Sequence, residues 1–447
     1  MSRSEVTVEE LLRLLPTVEE LEVLRLQLVS AAVPDPERTW DSSSSYSTVD
    51  KRILAPEDVE LAIAQAEQAV LQHMTLLHEG LRPVFRSWFN GQKDEAARHL
   101  IALGELQEGA GRALGASQCY RAALSVSLPL ADKGAQILAL RRLGRVALML
   151  GEFSDATAYY TRSADLARDT DDLRGEVIAR TGVGNVKTYQ GRWAEAGEIY
   201  REALALAESA GPDELRLERG QLFNNLGGVS HSTGRLSESE EWLARAQVLW
   251  EAMDAPLEMG IWYLHRGHLR NAQGRLEDAR QCYQAGLSLP IPASLKAAMS
   301  ADLAHAWLLE GYTTEAEEVA RVAEQHAIAT RSPYTLGYMY RQLGNLARAR
   351  DDEDGFTFYE KALQIAREKG YPSLEAETLA DYAELRGRNG GAEEAVAYLE
   401  RARELFMELG SVQDLARAEQ ALAKLQRTMR TDPEPEEPEH PLAIAGD

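Results

Sequence analysis

The stretch Leu143–Ala164 reads LGRVALMLGEFSDATAYYTRSA: a Leu-Gly pair, a second glycine at Gly151, then Ala156, Tyr160 and Ala164. The same order of residues returns at Val183-Gly184, Gly191, Ala196, Tyr200 and Ala203, and it precedes at Leu103-Gly104, Gly111, Ala116, Tyr120 and Ala123. Further anchors stand at Leu226-Gly227, Arg266-Gly267, Leu303-Ala304, Leu343-Gly344 and Tyr382-Ala383. Successive anchors are 40, 40, 43, 40, 37, 40 and 39 residues apart. A period held over eight units is the signature of a repeat array rather than a compact domain.

Each residue type in the unit has a physical reason. Small residues such as Gly144 and Ala156 let two helices of one repeat approach closely, and the large Tyr160 fills the space against the next repeat. Gly111, Gly151, Gly191, Gly234, Gly274 and Gly311 fall between the two helices, where a turn needs backbone freedom. Pro129, Pro212, Pro256, Pro290, Pro333 and Pro372 fall between one repeat and the next, where no helix has to continue. The later repeats depart from the pattern: Ala304 and Ala383 replace glycine, and Asp351 replaces the turn glycine.

This pattern resembles the tetratricopeptide repeat (TPR), with its Leu-Gly in helix A and its Ala, aromatic, Ala in helix B. The length near 40 residues is similar to that of the longer-repeat subclass in Leu-Gly-Asn repeat proteins, kinesin light chains and bacterial quorum-sensing regulators. The resemblance covers roughly residues 96–411. It implies an all-α, right-handed superhelical solenoid of about eight repeats, with helices A lining a concave groove. It specifies the fold closely and the function loosely, because one fold serves many partners.

Composition agrees. The chain has 447 residues, 45% apolar and 27% charged, rich in helix formers. Its formal net charge of −23 repels nucleic-acid phosphates and anionic lipid, so neither is expected as a partner. The two cysteines, Cys119 and Cys282, occupy the same place in distant repeats, each as Gln-Cys-Tyr. They read as small buried residues, and so few cysteines suit a reducing cytoplasm. No secretory leader or apolar membrane-length stretch is read, and a cytoplasmic protein is expected.

Outside the array, residues 1–30 read as a helical pair, each member opened by a Thr-Val-Glu-Glu capping box at Thr7 and Thr17. Residues 31–56, with Pro34, Pro36 and Ser42 to Ser45, read as a flexible linker, and residues 57–95 as a helical N-terminal cap. Residues 412–431 are expected as a C-terminal capping helix, and the Pro/Glu-rich residues 432–447 as a disordered acidic tail.

The residue after each Leu-Gly pair, and those three before or after it, are expected to face the groove. They are Arg141, Arg142 and Arg145, then Asn185, then Asn224, Asn225 and His231. His265, His268, Asn271 and His305 follow, and then Arg341, Gln342, Asn345 and Arg348. None of these is acidic. Such a face suits an extended peptide: Asn and Gln bond its backbone, and Arg forks a carboxylate. The partner is therefore expected to be a protein or peptide segment, acidic or carrying a C-terminal carboxylate. The plainer alternative is a solvated inner face with no ligand.

His231, His265, His268 and His305 cluster in adjacent repeats, but no cysteine or carboxylate is read beside them at metal-ligand spacing, so no metal or other cofactor is expected. Trp242, Trp250, Trp262 and Trp307 read as inter-repeat packing. No phosphate-cradling glycine loop, G-x-S-x-G or H-E-x-x-H motif occurs, so an interaction scaffold or adaptor is favoured over an enzyme. The alternative is a ligand- or peptide-responsive regulator with the N-terminal helices as its output module. The oligomeric state is open.

Overall fold

The computed structural model describes residues 80–431, apart from 85, 88–91, 212 and 331. The expected helical pair, the linker and the acidic tail lie outside the described residues, as does the cap over residues 57–79. The chain divides into two compact units, Met1–Val146 and Ala147–Asp447. Among the described residues there is no strand. All seventeen long elements are helices, and they alternate as A and B of each repeat.

The first unit contains α1 (Lys93–Gly109) and α2 (Ala113–Leu130), and α3 (Lys133–Met149) runs across the division. In the second unit the A/B pairs are α5 (Leu173–Tyr189) with α6 (Trp193–Ser209), and α7 (Arg216–Ser232) with α8 (Leu236–Met253). Next come α9 (Pro256–Ala272) with α10 (Leu276–Leu287), and α11 (Ala293–Leu309) with α12 (Thr313–Thr330). The last pairs are α13 (Pro333–Ala349) with α14 (Asp354–Lys369), and α15 (Pro372–Arg388) with α16 (Ala392–Leu409). The helix α4 (Phe153–Arg168) precedes them and α17 (Val412–Thr431) follows.

Helix starts have local causes. Asp172 accepts from Gly175 N at 2.9 Å and caps α5, while Pro256, Pro333 and Pro372 each stand in the first turn of their helix. Pro129 departs from expectation. It lies in the last turn of α2, where its missing N–H forfeits one bond and the left-handed Ala131 then ends the helix. The A-to-B turns need positive φ, and their glycines supply it, from +69° at Gly191 to +86° at Gly311. Asp351 takes the same left-handed conformation, at +53°, where glycine is replaced.

The glycine of each Leu-Gly pair is where helix B lies against helix A. A Cβ at Gly184 would overlap the ring of Tyr200, and likewise Gly104 with Tyr120, Gly267 with Tyr283 and Gly344 with Tyr359. In these four repeats the ring thus fills its own repeat, while Tyr160 packs forward, against Gly182 of the next helix A. Trp250 and Trp262 are core residues, and the half-buried Trp242 and Trp307 sit under Arg245 and Arg280. Both cysteines are buried and unpaired.

Candidate binding site on the inner helices

Within the second unit, successive helices A pack backbone to backbone from α5 to α15, whereas helices B stand further apart and meet through long side chains, as Arg201 with Glu238 and Arg245 with Glu208 between α6 and α8, so the stack curves with helices A inside. Side chains reinforce that wall. Asn225 Nδ2 donates to Asn185 Oδ1 at 3.2 Å, and Gln221 reaches Glu258 at 3.4 Å. Each links neighbouring helices A.

Three expected groove residues turn out to be internal. Asn345 is buried, accepts from the Tyr359 hydroxyl at 2.7 Å and donates to Gln342 Oε1 at 3.2 Å. Gln342 is buried with it. Asn224 is buried and donates to the Glu258 carbonyl at 3.4 Å. The cause is the glycine before Asn345: it lets Tyr359 come so close that the next side chain meets the hydroxyl rather than the groove. Asn185 makes the equivalent bond to Tyr200 at 2.7 Å but stays half-buried. Asn271 is half-buried on α9.

The groove expected to carry no acidic residue in fact sets carboxylates beside its arginines. In the first unit Arg142 pairs with Glu105, and Arg145 with Glu108 at 2.6 Å; Arg141 is half-buried on the same helix. In the second unit Arg341 donates from Nε to Asp381 at 2.7 Å and from its terminal nitrogen to Glu377, and Arg348 pairs with Glu384. The positional rule itself would have found these acids. In the first and last repeats the same positions hold Glu105, Glu108, Asp381 and Glu384, and three before His305 stands Asp302.

Asp302 is the carboxylate beside the histidines that spacing did not reveal. His268 Nε2 lies 2.7 Å from Asp302 Oδ2, and Tyr338 donates its hydroxyl to Oδ1 of the same group. The rings of His231 and His265 lie 5.9 and 6.3 Å from that of His268. Burial, and then the charge on His268, press the His265 pKa down to about 3 and that of His231 to about 4. For His268 burial works the same way, but the Asp302 carboxylate outweighs it and raises its pKa. His305 is pressed down by burial and then by Arg341, and its Nδ1 is buried with no partner. Burial raises the Glu377 carboxyl despite Arg341, whereas Arg341 and Arg348 overcome burial at Asp381 and lower it.

The face therefore presents the neutral imidazoles of His231, His265 and His305, the Asp302-paired His268, tyrosine hydroxyls and arginine-paired carboxylates. These groups bind and orient polar atoms. The sulfur nucleophiles lie elsewhere, in the cores, where burial pushes the Cys119 thiol up to about 12. Among the described residues no three His, Cys, Asp or Glu side chains are arranged to hold a metal ion. Nor is any described helix long and apolar enough to cross a membrane.

An aromatic seam closes the curve of the second unit. Phe153 meets Tyr371 edge-on with centroids 5.6 Å apart, Tyr371 meets Tyr334 at 5.2 Å, and Tyr334 meets Tyr189 at 5.0 Å. The turn at Gly191 packs on Leu409 and Ser373 beside it. Repeats remote in sequence thus lie side by side around the inner face.

Residues 176–251, from α5 through α8, match the tetratricopeptide repeat family. No curated protein matches the chain. Among solved structures, one similar chain is a Rap protein complexed with competence and sporulation factor. It is 13% identical, with a TM-score of 0.48 over 75% of this chain and 99% of that one. NprR in complex with its cognate peptide NprX is also 13% identical, with a TM-score of 0.48 over 76% and 99% of the two chains. The Rap conjugation gene regulator of plasmid pLS20, in complex with the Phr* peptide, is 16% identical, with a TM-score of 0.46 over 81% and 92%. The repeats of this chain are of the tetratricopeptide type, built into an all-α solenoid.

Proposed function

We propose that the protein binds an extended segment of another polypeptide along the inner helices of its second unit, and that it acts as an interaction scaffold rather than a catalyst. The observation that carries this is the run of polar side chains on successive helices A, from Asn185 and Asn225 through His231, His265 and His268 to His305. Some of them also tie the wall together, as Asn225 does with Asn185, but the His305 Nδ1 is left with no partner among the described residues. Imidazole and amide groups that converge on a concavity suit the alternating donors and acceptors of a peptide backbone. Arg142, Arg145, Arg341 and Arg348, each paired with an acid of a neighbouring repeat, give no reason to expect an acidic segment. Two buried, unpaired cysteines suit a partner met in a reducing compartment.

A second reading, a peptide-responsive regulator, draws support from the Phe153–Tyr371–Tyr334–Tyr189 seam, because occupancy of a groove closed by its own remote repeats could shift that closure. The test of the first reading uses full-length protein and random heptapeptides selected for binding. Asn225→Trp, which fills the inner face, should weaken the selected peptides about tenfold or more, worth about 1.4 kcal/mol. Val248→Arg, on the outer surface of α8 at 67% exposure, should leave binding intact. Peptides indifferent to Asn225→Trp would refute the reading.

A further inference from the structure

Three A-to-B turns of the second unit carry glycines that are crowded from outside their own repeats. A Cβ at Gly151 would stand 2.9 Å from the Tyr371 hydroxyl oxygen and 3.4 Å from Lys369 Cδ. One at Gly191 would stand 2.7 Å from Ser373 Oγ and overlap Leu409, and one at Gly234 would touch Gln413 Cγ at 3.5 Å. The turn glycines Gly274, Gly311 and Gly390 have nothing within 4 Å, so the crowding is not a property of the turn itself. Lys369, Tyr371 and Ser373 lie where α14 passes into α15, and Leu409 and Gln413 where α16 passes into α17. A-to-B turns occupy one edge of a solenoid and B-to-A turns the other. The superhelix of the second unit has therefore come round far enough for its two edges to meet, a contact that nearest-neighbour stacking does not supply.

The meeting edges are held differently from the wall beside them. Inside the stack, neighbouring helices A are joined by polar contacts such as Asn225 with Asn185 and Arg341 with Asp381. At the edges the Tyr371 hydroxyl, Ser373 Oγ and Gln190 Oε1 are buried with no hydrogen-bond partner. What binds there is aromatic, the Phe153, Tyr371, Tyr334 and Tyr189 rings in edge contact. Ring burial favours closure, and the stranded oxygens favour opening, because each recovers a hydrogen bond once water reaches it. Opposed terms of this kind suit a joint with two states.

We propose that these edges form a latch, which holds the inner helices closed in the free protein and parts to admit the bound segment from the side. The inference rests on the groove-binding reading above and adds to it the route of entry. A segment that threaded in from one end of the stack would not need the edges to part.

The test uses full-length protein carrying Gly234→Cys and Gln413→Cys. Sulfur at the Gln413 Cγ position would lie 3.5 Å from a Cβ at residue 234, within reach of a disulfide after a small shift. The native Cys119 and Cys282 are buried and unpaired, so mild oxidation acts on the engineered pair. The reduced form carries the same strain at a positive-φ turn and serves as the control. Association of the selected heptapeptides, followed by stopped flow, should be at least about tenfold slower in the oxidised form and recover with reductant. Tyr371→Phe, which removes only the stranded hydroxyl, gives a second reading where the double variant folds poorly. It should slow association about threefold and leave the urea midpoint level or higher, whereas a merely structural contact would shift the midpoint and not the rate. If neither oxidation nor Tyr371→Phe slows association by more than about twofold while Asn225→Trp still blocks binding, the latch is wrong and the groove reading stands. If Asn225→Trp has no effect, both fall together.

Discussion

Arg341 Nε lies 2.7 Å from Asp381 Oδ2, a bond that joins α13 to α15 across 40 residues of sequence. The same guanidinium holds Glu377, so one side chain keeps two carboxylates of the inner wall from repelling each other. Its side chain is only 15% exposed. Arg341→Met should therefore lower the unfolding free energy by about 3 kcal/mol, the usual cost of stranding a buried charge. The urea midpoint reads this out. Arg401→Met, which breaks an exposed pair with Glu404, should leave the midpoint where it is.

The contact of Gly184 with Tyr200 predicts an asymmetry between glycines. Gly184→Ala drives a methyl into the ring and should cost about 2 kcal/mol, in the range of core overpacking. Adding Tyr200→Leu should recover part of that loss. Gly387 lies in the last turn of α15 with room for a Cβ, 3.6 Å from Leu425 Cδ1. Gly387→Ala should stabilise by about 0.5–1 kcal/mol through helix propensity alone. Thermal unfolding of the three variants separates the cases.

The histidine cluster predicts a loss of stability in acid. The folded chain holds His265 at about 3, against an ordinary 6.5, so between those values the unfolded chain takes up a proton that the folded chain refuses. Stability from this group is complete above pH 6.5 and falls as pH drops through the window. His231 acts in the same direction, and His268, raised by Asp302, in the opposite one. Between pH 7 and pH 5 the wild type should lose up to about 2 kcal/mol more than His265→Asn, measured by urea unfolding at each pH. Equal losses in the two proteins would remove His265 as the cause.

Much of this was legible from the periodic residues. The Leu-Gly, turn glycine and aromatic positions located the repeats, because each marks a steric event: a close helix approach, a positive φ, a filled gap. Helix starts were less so. The repeat signature suggests helices A starting near residues 97, 137, 177, 220, 260, 297, 337 and 376, and each begins four residues earlier, as at Lys93 and Pro372, because the first turn carries no signature residue. The odd repeats make sense only in pairs. Where Ala304 replaces glycine the facing residue is Ala320, and where Ala383 does so it is Leu399, so the volume lost to a methyl is returned across the contact. The charge balance of the inner face is hidden in the sequence for a related reason. Arg341 looks unpaired until the carboxylates of the next repeat are set beside it, and a single helix cannot show its neighbour.

The most direct test of groove binding is photo-cross-linking. A selected heptapeptide carrying benzoylphenylalanine at its centre is irradiated with the full-length protein, and the adduct is mapped by mass spectrometry. Binding along the inner helices predicts adducts within α7, α9, α11 and α13, abolished by Asn225→Trp. Adducts confined to α8, α10, α12 or α14 would contradict it and move the partner to the outer surface.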